Sequence, residues 1–302
     1  MNINELDKND LDCWKKACKI AAQSLNYGKN LIKKGNDLLD VAKKTDQKII
    51  SLGGEIAFPS QISMNQIAAH FCPTKNNNPI FENQIIKLDV GAHVNGFIGD
   101  NACTVDLSGE NSELVKASRD ALNNAIKIIK PGITLAEVGK VIQETIMNYG
   151  FAPVRNLSGH GLGKFEIHTN PTIPNYDNGD ETEIKKGDIF AIEPFATDGY
   201  GIVIETSNPT VFSLIQKKPV RDMTTRQVLK EIEKYKGLPF AKWWLEEKFP
   251  LFRVNLALRQ LESIGVIKGY PPLADRENGL VSQAEHTILV EEDKAVILTK
   301  SD

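Results

Sequence analysis

The chain has 302 residues, 41% hydrophobic and 25% charged, with 36 basic against 39 acidic side chains and a formal charge of −3; this suits one large domain, or a domain with an insertion, of ordinary soluble composition. The near balance of charge argues against wholesale coating of nucleic acid or of a membrane surface. No stretch approaches 18 consecutive apolar residues, the start MNINELDKND is unlike a secretory signal, and Cys13, Cys18, Cys72 and Cys103 contain no CxxC pair, which fits buried reduced thiols in the cytoplasm.

The first predicted element is a helix from Leu11 to about Lys33, with Ala17, Ile20, Ala21 and Leu25 forming an apolar stripe. A second runs from about Asp37 to Leu52, after Gly35. Another pair follows Asn111, from Ser112 to Lys130 and from Thr134 to Tyr149. With an offset of 97 residues, Leu25, Gly35, Leu38, Val41, Ile49 and Gly53 fall on Leu122, Gly132, Leu135, Val138, Ile146 and Gly150. Matched helix-ending glycines favour an internal duplication over chance likeness of two amphipathic helix pairs. Each pair leads into strands, two within Ile85–Leu107 and more within Asp188–Glu205, so two similar helix-plus-strand halves are expected. A different texture begins near Leu214. Segment 214–272 has helical runs at Thr225–Lys236, Phe240–Lys248 and Leu251–Ile264, with 12 basic and 6 acidic residues; it carries +6 and leaves −9 on the remainder. It reads as an insertion. A hairpin closes the chain, GLVSQAEHTILV and AVILTK around the turn EEDK.

The segment LDVGAHVNGFIGDNACTVDL carries the most chemistry. Asn95-Gly96 between apolar runs signals a two-residue type I′ hairpin. That turn pairs Val94 with Phe97, so Asp100 faces Gly91 and Asp89 faces Ala102. Both aspartates then share one sheet face as diagonal neighbours, with Gly91 leaving space between them. Converging carboxylates repel unless a cation or a proton intervenes. Two solvated aspartates are the competing reading, which the apolar Leu88, Val90, Ile98 and Val105 disfavour. In NLSGHGLGKFEIH, His160 stands between glycines in a short loop, and His168 ends a strand. Glu193 in IFAIEPFATDG and Glu285 in QAEHTILV lie within apolar strands, where an unpaired carboxylate is costly. Each could pair with a lysine or arginine, but four carboxylates and an imidazole argue for a shared cation site. They balance two divalent ions of Co, Mn, Fe or Zn, which could share a bridging hydroxide and hold a carbonyl for attack.

The motifs AAHF, LDVGAHVNGFIGDNA, NLSGHGLGKFEIH, AIEPFATDG, GYPPL and QAEHTILV, in this order, resemble the type II methionine aminopeptidases. The resemblance covers essentially the whole chain. It implies the α+β pita-bread fold shared with prolidase and creatinase: two pseudo-symmetric halves with a curved antiparallel sheet, here as residues 1–213 and 273–302, plus a winged-helix-like insertion at 214–272. It implies Asp89, Asp100, His160, Glu193 and Glu285 as ligands of two metal ions. Glu193 would also move protons between water and the leaving amine. His168 would hydrogen-bond the substrate amide and stabilise the tetrahedral intermediate, and His70 would contact the substrate near the scissile bond. Phe58, Ile167 and Tyr270 match positions lining a methionine pocket; ordinary core packing is their alternative. A further pocket residue should come from NPTVFSL, at no assigned position.

The implied activity is removal of the initiator methionine from nascent polypeptides when the second residue is small. It would be carried out by a cytoplasmic monomer with no specific DNA target and no membrane contact. The missing charged N-terminal extension points to an archaeal-type, minimal version. Winged helices often bind nucleic acid, so the insertion would permit transient ribosome contact, or serve only to wall the pocket through Tyr270. Asn2 is too large for the expected specificity, so Met1 should be retained. The alternatives are a prolidase-like Xaa-Pro dipeptidase and a non-catalytic ribosome- or RNA-binding paralog. His93, on the hairpin face of Asp89, and His286 receive no role.

Overall fold

The computed structural model describes Asn2 and residues 6–300; Met1 lies outside them. The first half comprises α1 (Lys8–Leu31), α2 (Leu38–Ser51), β1 (Glu55–Met64), β2 (Ile67–Ala69), β3 (Ile85–Val94) and β4 (Phe97–Asp106). The second opens with α3 (Ser112–Ile128) and α4 (Leu135–Asn148). It continues through β5 (Ala152–Pro153), β6 (Ser158–Gly163), β7 (Glu166–Pro174), β8 (Ile189–Ile192), β9 (Phe195–Thr197), β10 (Val203–Glu205) and β11 (Val211–Leu214). Then come α5 (Met223–Ile232), β12 (Phe240–Ala241), α6 (Lys242–Glu246), α7 (Leu251–Ser263) and β13 (Ile267–Tyr270). The chain closes with β14 (Leu273–Asp275), β15 (Val281–Gln283), β16 (His286–Val290) and β17 (Ala295–Ile297).

The four long helices sit where the periodicity puts them, and their starts are chemically marked. Asp37 accepts from the Asp40 backbone at 2.7 Å, and Thr134 forms a capping box with Glu137. The two halves match in backbone detail. Gly35 and Gly132 have φ of +91° and +89°; Gly53 and Gly150 both have +80°. Gly35 N–H donates to Phe81 O and Gly132 N–H to Ile184 O, while Leu38 N–H donates to Pro79 O and Leu135 N–H to Thr182 O. Equivalent side chains are buried in both halves: Leu38, Val41 and Ile49 in one core cluster with Ile86, Leu88 and Val90 of β3, and Leu135, Val138 and Ile146 in another with Phe190 of β8 and Ile288 of β16. Each such burial contributes about 2 kcal/mol.

All strand pairs among the described residues are antiparallel, and β17-β16-β8-β6-β7 and β1-β3-β4 form the two sheets nearest the site. Strand β1 has no counterpart in the sequence reading. Its register against β3 shifts between Ile56 and Phe58 and again between Phe58 and Gln61. Such bulges destroy the two-residue alternation by which a strand is recognised. The predicted hairpin β16–β17 forms, whereas β15 joins a different sheet, beside β9.

Helices α5–α7 and the sheet β12-β11-β13 build their own cluster around Val228, Phe240, Val254 and Leu261, which reaches Leu39 and Cys72 of the first half. Two of the predicted helical runs are shorter as α-helices than expected. Phe240 and Ala241 are extended, and α5 ends at Ile232, after which Glu233–Tyr235 form a 3-10 turn before Lys236 and Gly237, both with positive φ. The four cysteines are free and buried. Among the described residues no helix is long and apolar enough to cross a membrane.

Candidate metal centre

The hairpin β3–β4 has the register set by its turn. Asn95 and Gly96 have φ of +53° and +90°, Gly91 faces Asp100, and Asp89 faces Ala102. The space at Gly91 serves a neighbour rather than the gap between the aspartates. Phe58 lies opposite on β1, and a Cβ on Gly91 would sit 2.1 Å from its ring.

The two glutamates stand at breaks between strands, not within them. Glu193 separates β8 from β9, and Glu285 separates β15 from β16. Pro194 lacks the N–H that would continue the ladder, and its carbonyl instead accepts from Ala284 N–H at 3.3 Å. Glu285 N–H donates to Ala102 O at 3.0 Å, joining the glutamate to the aspartate hairpin of the other half. His160 lies in strand β6, opposite Ala191, rather than in a loop. Its flanking glycines permit close strand packing: a Cβ on Gly159 would lie 2.3 Å from Ala191 O, and one on Gly161 would lie 2.1 Å from Asn170 O. His168 is near the start of β7, not at the end of a strand.

These elements converge. Ligand atoms of Asp100, His160 and Glu285 lie within 4.8 Å of one another. His160 Nε2 is 3.8 Å from Asp100 Oδ2 and 3.6 Å from Glu193 Oε1. Asp89 Oδ1, Asp100 Oδ1 and both Glu285 oxygens are buried without a hydrogen-bond partner, while Gln283 Nε2 donates to Glu193 Oε2 at 3.3 Å. Burial drives all four carboxyls upward, Asp89 to about 7, and mutual repulsion adds to it at Asp100, Glu193 and Glu285. Burial, with His168 beside it, pushes His160 down to about 3, leaving a neutral imidazole able to ligate. Buried carboxylate oxygens without donors, beside a neutral imidazole, are the donor set a divalent cation completes.

The cluster lines a cavity of about 260 Å³ that also takes in Phe58, His70, Ile167, His168 and Tyr270. All ten residues singled out by sequence therefore meet there. The His160 and His168 rings are edge-on with centroids 4.5 Å apart, as are His70 and Tyr270 at 5.7 Å. Gln61, Asn156, Phe195, Val211 and Pro239 are among the further lining residues that the sequence did not foresee. Val211, within the NPTVFSL stretch where no position was assigned, lines the cavity; its presence in a short apolar run gave no signal. His93 lies elsewhere, edge-on to Phe165. A larger cavity of about 520 Å³, beside Trp243 and Trp244, holds none of the five candidate ligands.

The pattern of metallopeptidase family M24 matches residues 12–244. The methionine aminopeptidase of Thermococcus onnurineus is 45% identical over 287 residues, covering 94% of this chain and 97% of the relative. That of Methanocaldococcus jannaschii is 46% identical over 286 residues, covering 94% and 96%. The crystal structure of the methionine aminopeptidase from Thermotoga maritima superposes with a TM-score of 0.72 at 27% identity, covering 98% of each chain.

Proposed function

The chain belongs to metallopeptidase family M24, and from that premise we propose that it removes the N-terminal methionine of nascent polypeptides whose second residue is small. Its architecture is the pita-bread fold expected from the sequence. One observation carries the reading: the four carboxylates and the imidazole open onto the same cavity as the apolar Phe58, Ile167, Val211 and Tyr270.

Asp89, Asp100, His160, Glu193 and Glu285 would hold the metal, two ions balancing four carboxylates, with Co, Mn, Fe and Zn suited to the oxygen-rich set. When bound, divalent cations supply Lewis-acid polarisation of the scissile carbonyl and activation of water. Glu193 takes the proton of the attacking water and returns it to the leaving amine. His168, held below the ordinary histidine range by burial, donates a hydrogen bond to the substrate amide and steadies the tetrahedral intermediate. His70 contacts the substrate beside the scissile bond. Phe58, Ile167, Val211 and Tyr270 receive the methionine side chain, whose flexible thioether suits such a wall.

We take residues 1–213 and 273–302 as the catalytic domain and 214–272 as an insertion that supports the pocket through Tyr270. The enzyme is read as a cytoplasmic monomer without a DNA target. The +6 charge of the insertion would suit a transient ribosome contact. An Xaa-Pro dipeptidase or a non-catalytic paralog is not favoured, because all five ligand types are present and full-length relatives carry the methionine aminopeptidase name. The test is hydrolysis of Met-Ala-Ser beside Ala-Ala-Ser and an Xaa-Pro dipeptide by Mn-, Fe- or Co-loaded protein under reducing conditions. Release of Met from the first alone supports the reading; cleavage of the dipeptide alone, or of nothing, overturns it.

A further inference from the structure

We propose that Gln61 is a positioning residue for His70, capturing its backbone so that the imidazole is presented to the cavity. This rests on the reading of His70 as a substrate contact. His70 follows the end of β2 with φ of +65°, in the left-handed region that non-glycine residues visit uncommonly. A glycine would relax the backbone but remove the imidazole, so the surroundings must hold the conformation. The Gln61 side chain supplies part of that hold: its Oε1 accepts the His70 N–H at 2.7 Å. On the next residues, Ile62 N–H donates to Phe71 O at 3.0 Å, so β1 grips this turn at two points.

Gln61 can do this only because β1 is bulged. Phe58 and Gln61 are three residues apart, and in a regular strand they would face opposite sides. The register shift between them places Phe58 opposite Gly91 and Gln61 opposite Asp89, both turned toward the cavity. From there the Gln61 amide reaches the strand end that bears His70. The imidazole itself meets Tyr270 edge-on at 5.7 Å. Backbone capture by Gln61 and ring contact with Tyr270 together fix where the imidazole sits.

The test is a double-mutant cycle with a spectroscopic readout. Gln61→Leu and Gln61→Met each remove the acceptor with different shapes, and His70→Ala removes the imidazole. Each Gln61 variant should lower kcat/KM for Met-Ala-Ser about tenfold at unchanged metal content, yet less than about twofold when His70 is already alanine. In the metal-free protein, each should move the His70 ring Cε1–Hε1 resonance, identified by its loss in His70→Ala, more than that of any other histidine. Unchanged kcat/KM, a loss that recurs undiminished in the His70→Ala background, or an unmoved His70 resonance overturns the inference. The resonance needs no turnover. A wild-type protein that releases no methionine therefore overturns the functional reading, while the resonance still decides the role of Gln61.

Discussion

The backbone of Asp100 and the side chain of Thr287 are bonded in both directions. Asp100 N–H donates to Thr287 Oγ1 at 2.9 Å, and that hydroxyl donates back to the Asp100 carbonyl at 2.8 Å. Asp100 belongs to the first half and Thr287 to the second, so this reciprocal pair, with Glu285 N–H on Ala102 O, stitches the halves together beside the candidate ligands. Thr287→Val would leave two buried backbone groups unpaired and should destabilise the protein by about 2–4 kcal/mol, whereas Thr287→Ser should stay within about 1 kcal/mol of wild type. Urea denaturation measures both. Metal affinity should weaken in the valine variant, because the separation of Asp100 from Glu285 is no longer fixed.

Asp100 is one of three candidate ligands, with His160 and Glu285, whose donor atoms lie within 4.8 Å of one another. Asp100→Asn keeps its shape and removes one negative charge. Elemental analysis of the reconstituted variant should show the loss of one metal ion relative to wild type. An unchanged metal content would remove Asp100 from the ligands.

Two glycines near the site should respond differently to alanine. At Gly161 the new methyl group would meet the Asn170 backbone oxygen at 2.1 Å, and at Gly91 the Phe58 ring at the same distance. A side-chain ring can move and a paired strand cannot. Gly91→Ala should therefore fold at a cost of about 1–3 kcal/mol and raise KM for methionyl peptides by displacing Phe58, while Gly161→Ala should cost more than that range. Thermal melts and steady-state kinetics on both proteins check the order.

Asp46 provides a pH signature away from the metal. Its carboxylate accepts from Ser60 N–H at 3.0 Å, Ser60 Oγ at 2.7 Å and Trp244 Nε1 at 3.1 Å, tying α2 to β1 and to α6. Burial outweighs these bonds and pushes its pKa up to about 6. Between the unfolded value near 4 and about 6, the folded state binds the extra proton, so this group's contribution to stability falls as pH rises through that window. The advantage of wild type over Asp46→Asn should shrink by about 2 kcal/mol from pH 4 to pH 6. Denaturant titrations of both proteins across this range give the difference directly. A pH-independent difference would contradict the assignment.

What was legible in the sequence was what depends on local rules. The Asn95-Gly96 turn fixed the pairing of β3 with β4, and hence the positions of Asp89 and Asp100. The matched glycines at 35 and 132 marked the duplicated helix pairs, which the structure repeats down to their φ angles. What was not legible depends on partners distant in sequence. Pro194 and Ala284 bond across two strand breaks, which turns Glu193 and Glu285 from strand residues into residues at facing gaps. The bulges of β1 hide both a strand and the orientation of Gln61. Val211 is a cavity residue only because β11 also pairs with β13, which carries Tyr270.

The most direct test follows bound metal and released methionine in the same samples. Chelated protein is titrated with Mn(II) or Co(II) at saturating Met-Ala-Ser. Release should be absent without metal, rise in step with binding and level off at no more than two ions per chain. In Glu285→Gln, both metal binding and release should be reduced. Methionine release from fully chelated protein, or wild-type metal binding by Glu285→Gln, would contradict the account.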